Sequence, residues 1–437
     1  DISDPKAPKV TGTLVNAFFE NEAMTYGERI VDGKLIRFVI AGIDLFQASP
    51  NDPLNFNLGG DEFLIVDVTD PTNPFIRSRA ETSTSTHTVQ CVSQQDCRYA
   101  YTAGGASKFS ILDFTDLDKP KELKTVPSSG AASNPAIGSA GHYWDFDGVL
   151  GWHTGSGGAQ AFDISDPANP TPVTGTNEMG RKTPYNDFIL HNSMRPNADK
   201  FTAGAPPSVM NGNVLLVTEE DYANDGDEVL CDRAGSFQTW YVPDLDAKAY
   251  RSRNMTGATP DVGTVSPLDI TNPPAEFGGG ISTPLGGFCS AHWFDFHQDG
   301  FVALGNYQEG MRIMDVRDAK NIKQFGYSTS VATETWDAYW VPQRDANGVA
   351  IPGQKTNLVY TADNVRGVDV YEIALPKPVV APEAPAPQSP PNQGPSSAPP
   401  ASGGGGNLAA TGLETAVPLL AVGLLGAALW ARRRRSI

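Results

Sequence analysis

The sequence predicts an all-β fold, a β-propeller of six blades, or seven if a further unit precedes residue 1. Three observations carry it. A β-rich run closing on Asp-x-(Ser/Thr)-Asp-Pro recurs along the chain, as Gln160–Thr174, as Phe63–Pro74, more loosely as Phe109–Pro120, and without the Pro at Met311–Asp318. The repeat spacing is about forty residues, long enough for three or four short strands per unit and too long for a β-helix rung. The 44 Gly and 35 Pro, with few long helical patterns, favour strands joined by turns.

Taken in order, residues 1–14 hold a turn, Asp1–Pro8, and a short strand, Lys9–Leu14. Strand-like Leu35–Ile40 and an insertion at about 51–60 lead into the copy at Phe63. Units then run from His87 to Val126, His142 to Gly175, His191 through a large insertion to Asp244, His292 to Tyr327, and Trp336 to Ile373. Each opens on His or Trp in a short strand, crosses a Gly-containing turn into a second strand, and closes on the Asp-Pro motif or a relative of it. The last unit ends without a fourth strand and the amino terminus offers one, so the two halves are expected to complete one blade and shut the ring. In Asp163–Pro167 short polar side chains cap neighbouring N–H groups and Pro167 presets φ, so the motif is a turn and not a site.

The FLIVDVTDPTNP, AFDISDPANP and DISDPKAP segments resemble the LVIVD-repeat β-propellers of secreted and surface-attached bacterial proteins. The resemblance spans residues 1–375 and implies a fold, with almost nothing about activity.

Composition changes at Pro376. Residues 376–407 are rich in Pro, Ala, Ser and Gly, and read as a disordered, extended stalk that could reach roughly 90 Å. Residues 408–437 hold Leu408-Ala409-Ala410-Thr411-Gly412, an apolar run from Ala416 to Ala431 expected to be a single transmembrane helix, and Arg432–Arg435. The order resembles the Leu-Ala-x-Thr-Gly form of the tripartite signal read by sortases in Gram-positive bacteria. That resemblance implies cleavage between Thr411 and Gly412, attachment of Thr411 to peptidoglycan, and a membrane contact that lasts only until sorting. The expected location is extracellular and cell-wall anchored.

The net charge of −18 argues against nucleic acid or an anionic membrane surface as a partner. Cys91 and Cys97 flank a hairpin-sized gap that would bring them to disulfide distance, leaving Cys231 to pair with Cys289. No Cys-x-x-Cys spacing is present, and an exported chain is an oxidised one.

His87, His142, His191 and His292 occupy one relative place, the opening strand of a unit, with Trp336 and Asp337 there in the last unit and Asn21 and Glu22 in the first. First strands of a propeller line its axis, so these histidines form a ring that could hold copper, zinc or iron. The competing reading is that they bind water and neighbouring loops. His153 and His297 fall later in their units and read as ordinary strand or turn residues. A calcium loop built on Asp221, Asp225, Asp227 and Asp232 is a second candidate, although Ala223 spoils one ligand position and a solvated acidic insertion is the simpler reading. Tyr143, Trp144, Trp293, Trp336 and Trp340 could form a stacking platform for a sugar. No nucleophile elbow, His-Glu-x-x-His, Walker loop or dinucleotide fingerprint occurs. Two functions follow as expectations: a wall-displayed module binding a protein or glycan, or an extracellular metal-dependent oxidoreductase or hydrolase using the histidines.

Overall fold

The computed structural model describes residues 1–14, 22, 24–42, 61–104, 108–127, 141–155, 158–176, 189–221, 235–245, 265–272, 290–330, 332–346 and 348–376. They form a six-bladed β-propeller. The first blade is β1 (Met24–Val31), β2 (Lys34–Gly42), β3 (Glu62–Asp67) and β4 (Phe75–Glu81). The second is β5 (Thr88–Cys91), β6 (Tyr99–Ala103), β7 (Lys108–Asp113) and β8 (Lys121–Pro127). In the third stand β9 (Gly141–Phe146), β10 (Leu150–Gly155), β11 (Gly158–Asp163) and β12 (Thr171–Gly175). The fourth has β13 (Ile189–Met194), β14 (Val214–Glu220), β15 (Phe237–Tyr241) and β16 (Ser266–Thr271). The fifth comprises β17 (Phe294–His297), β18 (Phe301–Gly305), β19 (Met311–Asp315) and β20 (Lys323–Ser328). The sixth has only β21 (Thr335–Arg344), β22 (Ala350–Asp363) and β23 (Gly367–Glu372). In every sheet consecutive strands are antiparallel neighbours.

Burial follows position in the blade. Middle strands are covered on both faces by adjoining blades, so β14 and β18 read as near-continuous apolar runs and are buried throughout. Outer strands face water on one side, and β20 alternates exposed with half-buried residues. The core therefore lies between blades. Phe38, Ile40 and Phe63 of the first blade meet Val89, Leu112 and Phe114 of the second. Likewise Trp144 of the third blade sits against Tyr101 and Phe109 of the second, with ring centroids 5.0 and 4.7 Å away. Removing one such ring, as in Phe109→Ala, is worth about 3–5 kcal/mol.

The Asp-Pro turns explain their own sequence. The first Asp of the motif accepts from the N–H two residues on, at 2.9 Å for Asp67 and Thr69, 2.8 Å for Asp113 and Thr115, and 2.9 Å for Asp163 and Ser165. The second Asp does the same, as Asp70 with Thr72 at 2.9 Å and Asp166 with Ala168 at 3.1 Å. Where the motif has Leu117 or Ala319 in place of Pro, the second Asp caps survive, Asp116 with Asp118 at 3.0 Å and Asp318 with Lys320 at 3.1 Å. The carboxylates fix the turn, and Pro adds preorganisation to it.

Two expectations are refined. The disulfide Cys91–Cys97 forms, with Cα atoms 5.2 Å apart, and ties β5 to the loop before β6. Among the described residues the sixth sheet is three-stranded and the amino-terminal segment does not pair with it, although Ile2 packs on Val341, Leu358 and Tyr360 of that blade. Cys231, Cys289, Asp225, Asp227, Asp232, the stalk beyond residue 376 and the sorting signal with its apolar segment all lie outside the described residues. Among the described residues no helix is long and apolar enough to cross a membrane.

Candidate metal centre on the propeller axis

The opening strands bring His87, His142, His191 and His292 together around one carboxylate, that of Glu22, which enters just ahead of β1. Glu22 Oε2 lies 2.6 Å from His87 Nε2. Its Oε1 lies 2.7 Å from His191 Nε2, 3.3 Å from His292 Nε2 and 3.4 Å from His142 Nε2. His87 Nε2 and His142 Nε2 are themselves 2.9 Å apart. Three overlapping sets emerge whose ligand atoms fall within 4.8 Å of one another: Glu22 with His87 and His142, Glu22 with His191 and His292, and His142 with His191 and Glu220. Each set thus brings two imidazoles and one carboxylate close enough to share an ion.

The other ring nitrogens face backbone or amide oxygens. His142 Nδ1 donates to the carbonyl of His191 at 2.9 Å, and His292 Nδ1 to that of Trp336 at 3.0 Å. A carbonyl only accepts, so these nitrogens carry the proton and the neutral ring presents a lone pair at Nε2. His191 Nδ1 is 3.1 Å from Asn192 Oδ1, which also accepts from the Thr218 hydroxyl. Such outer contacts orient imidazole ligands toward a metal. Both carbonyls belong to the next blade, and that of His191 is held further by Thr154 Oγ1, which donates to it at 2.9 Å.

Electrostatics follow from burial. Loss of water and the neighbouring His191 hold His142 well below the usual imidazole range. Burial, with His292 adding, pushes His191 down to about 4. Burial alone would raise the Glu22 carboxyl, but the imidazoles around it, His87 and His142 first, hold it well below the usual carboxylate range. His292 moves up despite its burial because Glu22 and Glu220 face it, and Glu220 is pushed up to about 7 chiefly by burial. Neutral His142 and His191 beside an ionised Glu22 are donors of the kind that copper, iron or zinc takes.

Several participants had no signal of their own in the sequence. Glu220, from the acidic stretch read as a calcium loop, points to the axis 3.8 Å from His292 Nε2. Its neighbour Asp221 is buried beside Ser290, whose hydroxyl accepts the Asp221 N–H at 2.8 Å. Tyr307 donates its phenol proton to Glu220 and lays its ring 4.7 Å from His292. Its φ of +42° is a left-handed conformation that costs a bulky residue on the order of 1–3 kcal/mol. Thr335 N and Gly310 N hold it there by donating to its carbonyl, at 2.8 and 3.0 Å.

The aromatic candidates divide. Trp144 and Trp340 are buried in interblade core, where they cannot stack on a ligand. Trp293 instead packs on His191, centroids 4.7 Å apart, and meets Tyr143 edge-on at 4.6 Å, so the pair floors the histidine cluster. Trp336 supplies its backbone carbonyl and a ring 5.1 Å from His292 in place of a fifth imidazole. His153 and His297 stay outside the ring, packed on Trp144 and Trp340 respectively.

No protein-family model matches the chain, and no curated protein sequence matches it. Among solved structures it is similar to the periplasmic gluconolactonase PpgL of Pseudomonas aeruginosa, at 11% identity and a TM-score of 0.48, covering 80% of each chain. It is also similar to a protein from Lactobacillus plantarum, at 11% identity and a TM-score of 0.44, covering 79% of this chain and 90% of that one. Neither likeness bears on the chemistry of the axial cluster.

Proposed function

We propose that this chain is an extracellular, wall-displayed propeller whose axial histidines hold one transition-metal ion, and that this centre makes it a metal-dependent oxidoreductase. The observation that carries the reading is the convergence of the His142, His191 and His292 Nε2 atoms on one carboxylate oxygen of Glu22, with Nδ1–H of His142 and His292 spent on backbone carbonyls. A neutral His142 lone pair facing that carboxylate repels it unless a proton or a metal cation stands between them. Two imidazoles and one carboxylate, the composition of each set, leave coordination positions open and suit iron, and imidazole suits copper as well. Tyr143 and Trp293 would then form the wall against which a substrate sits.

Display on the wall rests on Leu408–Gly412 and the segments after it. Mass spectrometry of wall digests should recover a carboxyl-terminal peptide ending at Thr411 joined to peptidoglycan; an intact terminus at Ile437 would refute anchoring. For the centre, protein purified without chelator should carry about one iron or copper per chain, and His142→Ala with His191→Ala should carry none. Wild-type protein that neither retains nor takes up a stoichiometric transition metal would make the cluster an imidazolium–carboxylate knot. The head would then stand as a binding module for a protein or glycan.

A further inference from the structure

The imidazoles divide between the two oxygens of Glu22. Oε2 lies 2.6 Å from His87 Nε2, which is in turn 2.9 Å from His142 Nε2. Oε1 lies 2.7 Å from His191 Nε2 and 3.3 Å from His292 Nε2. The set of Glu22, His87 and His142 and the set of Glu22, His191 and His292 therefore have no imidazole in common. Filling one leaves the histidines of the other in place.

Bond lengths suit an ion in each. Zinc holds imidazole nitrogen and carboxylate oxygen at about 2.0–2.2 Å, so two nitrogens 2.9 Å apart subtend about 90° at an ion they share. On the same bond lengths the 2.6 Å contact of the first set subtends about 80°, and the 2.7 and 3.3 Å contacts of the second about 80° and 105°. These are angles between neighbouring ligands on one ion.

Protons serve the first set less well. His142 carries its proton on Nδ1, where it donates to His191 O at 2.9 Å, so its Nε2 offers only a lone pair. A proton on His87 Nε2 lies along the line to Glu22 Oε2 or along the line to His142 Nε2, and the other short contact goes unserved. An ion in the set serves both. The third set, His142 with His191 and Glu220, takes one imidazole from each of the others and is the one-ion alternative. It bypasses Glu22, which lies within 3.4 Å of all four Nε2 atoms.

We propose that Glu22 bridges two divalent first-row transition-metal ions, one held by Oε1 with His191 and His292, the other by Oε2 with His87 and His142. This rests on the metal reading above and adds a second, more loosely held ion to the one retained through purification. The looser set is the one containing His87, whose side chain is 19% exposed against 0% for His191 and 1% for His292. Two-metal sites place their ions about 3.5–4 Å apart and grip one substrate from two sides.

The test titrates the full chain, stripped of metal by a chelator, with Cu(II), and follows bound copper and the EPR spectrum at each addition. Wild-type protein should saturate at two ions per chain. A half-field transition, the signature of two Cu(II) ions a few ångströms apart, should be absent at one equivalent and appear with the second. His87→Ala should lose the second ion and the half-field transition while keeping the first ion. Saturation of wild-type protein at one ion would overturn the pair and leave the single-ion reading standing; two bound ions with no half-field transition would overturn it as well. The wild-type titration decides the pair whether or not the variant folds. A half-field transition that persists in His87→Ala would overturn the assignment of the second ion to this set, and wild-type protein that binds no copper would overturn both readings together.

Discussion

The rim and the axis of this propeller are built from the same repeating unit, yet they repeat for opposite reasons. At the rim, Asp113 and Asp163 recur because a turn needs its N–H groups capped, and each cap is satisfied inside its own motif. At the axis His87, His142, His191 and His292 recur and nothing local requires them; among the described residues their Nε2 atoms face one another, Glu22 and Glu220. Repetition at the rim is backbone chemistry performed many times. At the axis it assembles one site from many blades.

Breaking the axis should therefore cost function and stability together. His191→Ala removes a proposed ligand and is expected to lower transition-metal affinity at least a hundredfold, read by competition against a chromogenic chelator, with a fall in melting temperature of the metal-loaded protein.

Acid sharpens the same contrast in metal-free protein. His142 and His191 are held neutral in the fold, so the unfolded chain binds more protons below its ordinary imidazole pKa of about 6.5, and stability falls as pH drops. For His191 the window runs from about 6.5 down to the folded value of about 4, at up to about 1.4 kcal/mol per pH unit. Glu22, held low, adds to the loss as pH falls through its folded range, whereas His292, held high, stabilises the fold at low pH and loses that contribution as pH rises. The net expectation is acid destabilisation below about pH 6.5. Thermal melts across pH 4 to 8 check it, and in His191→Ala the slope should flatten.

Rim changes should be smaller and leave the metal alone. Asp163→Ala removes the carboxylate that accepts from Ser165 and should cost about 0.5–1.5 kcal/mol by urea denaturation, with metal content unchanged. Pro167→Gly should cost about 0.4–1 kcal/mol, through a freer unfolded chain, because the Asp166 cap onto Ala168 remains.

The same division decides what could be read from sequence. Rim turns are local, so their side chains and partners stand within eight residues, and the blades could be counted from them. The histidines were legible because they share a phase relative to those turns. Glu220 and Tyr307 were not, since they come from the end of a second strand and from the loop after one, places where other units carry different residues and no period marks them. Glu22 was legible as a ring position, but its role as the common partner of four imidazoles depends on ring closure, which no local pattern encodes. The amino-terminal motif was recognised and expected to complete the sixth blade; it packs on that blade through Ile2 and Pro5 O, but a turn's sequence does not say whether its strand will join the sheet.

Because His142 and His292 each spend Nδ1 on the backbone of the following blade, the ligands are also joints between blades. An ion gripping their Nε2 atoms would act as a rivet through several leaves at once, resisting any motion that splays them. If the head is displayed outside the cell as proposed, where no chaperone or ATP can repair it, supply of the ion would set how long the protein survives proteolysis.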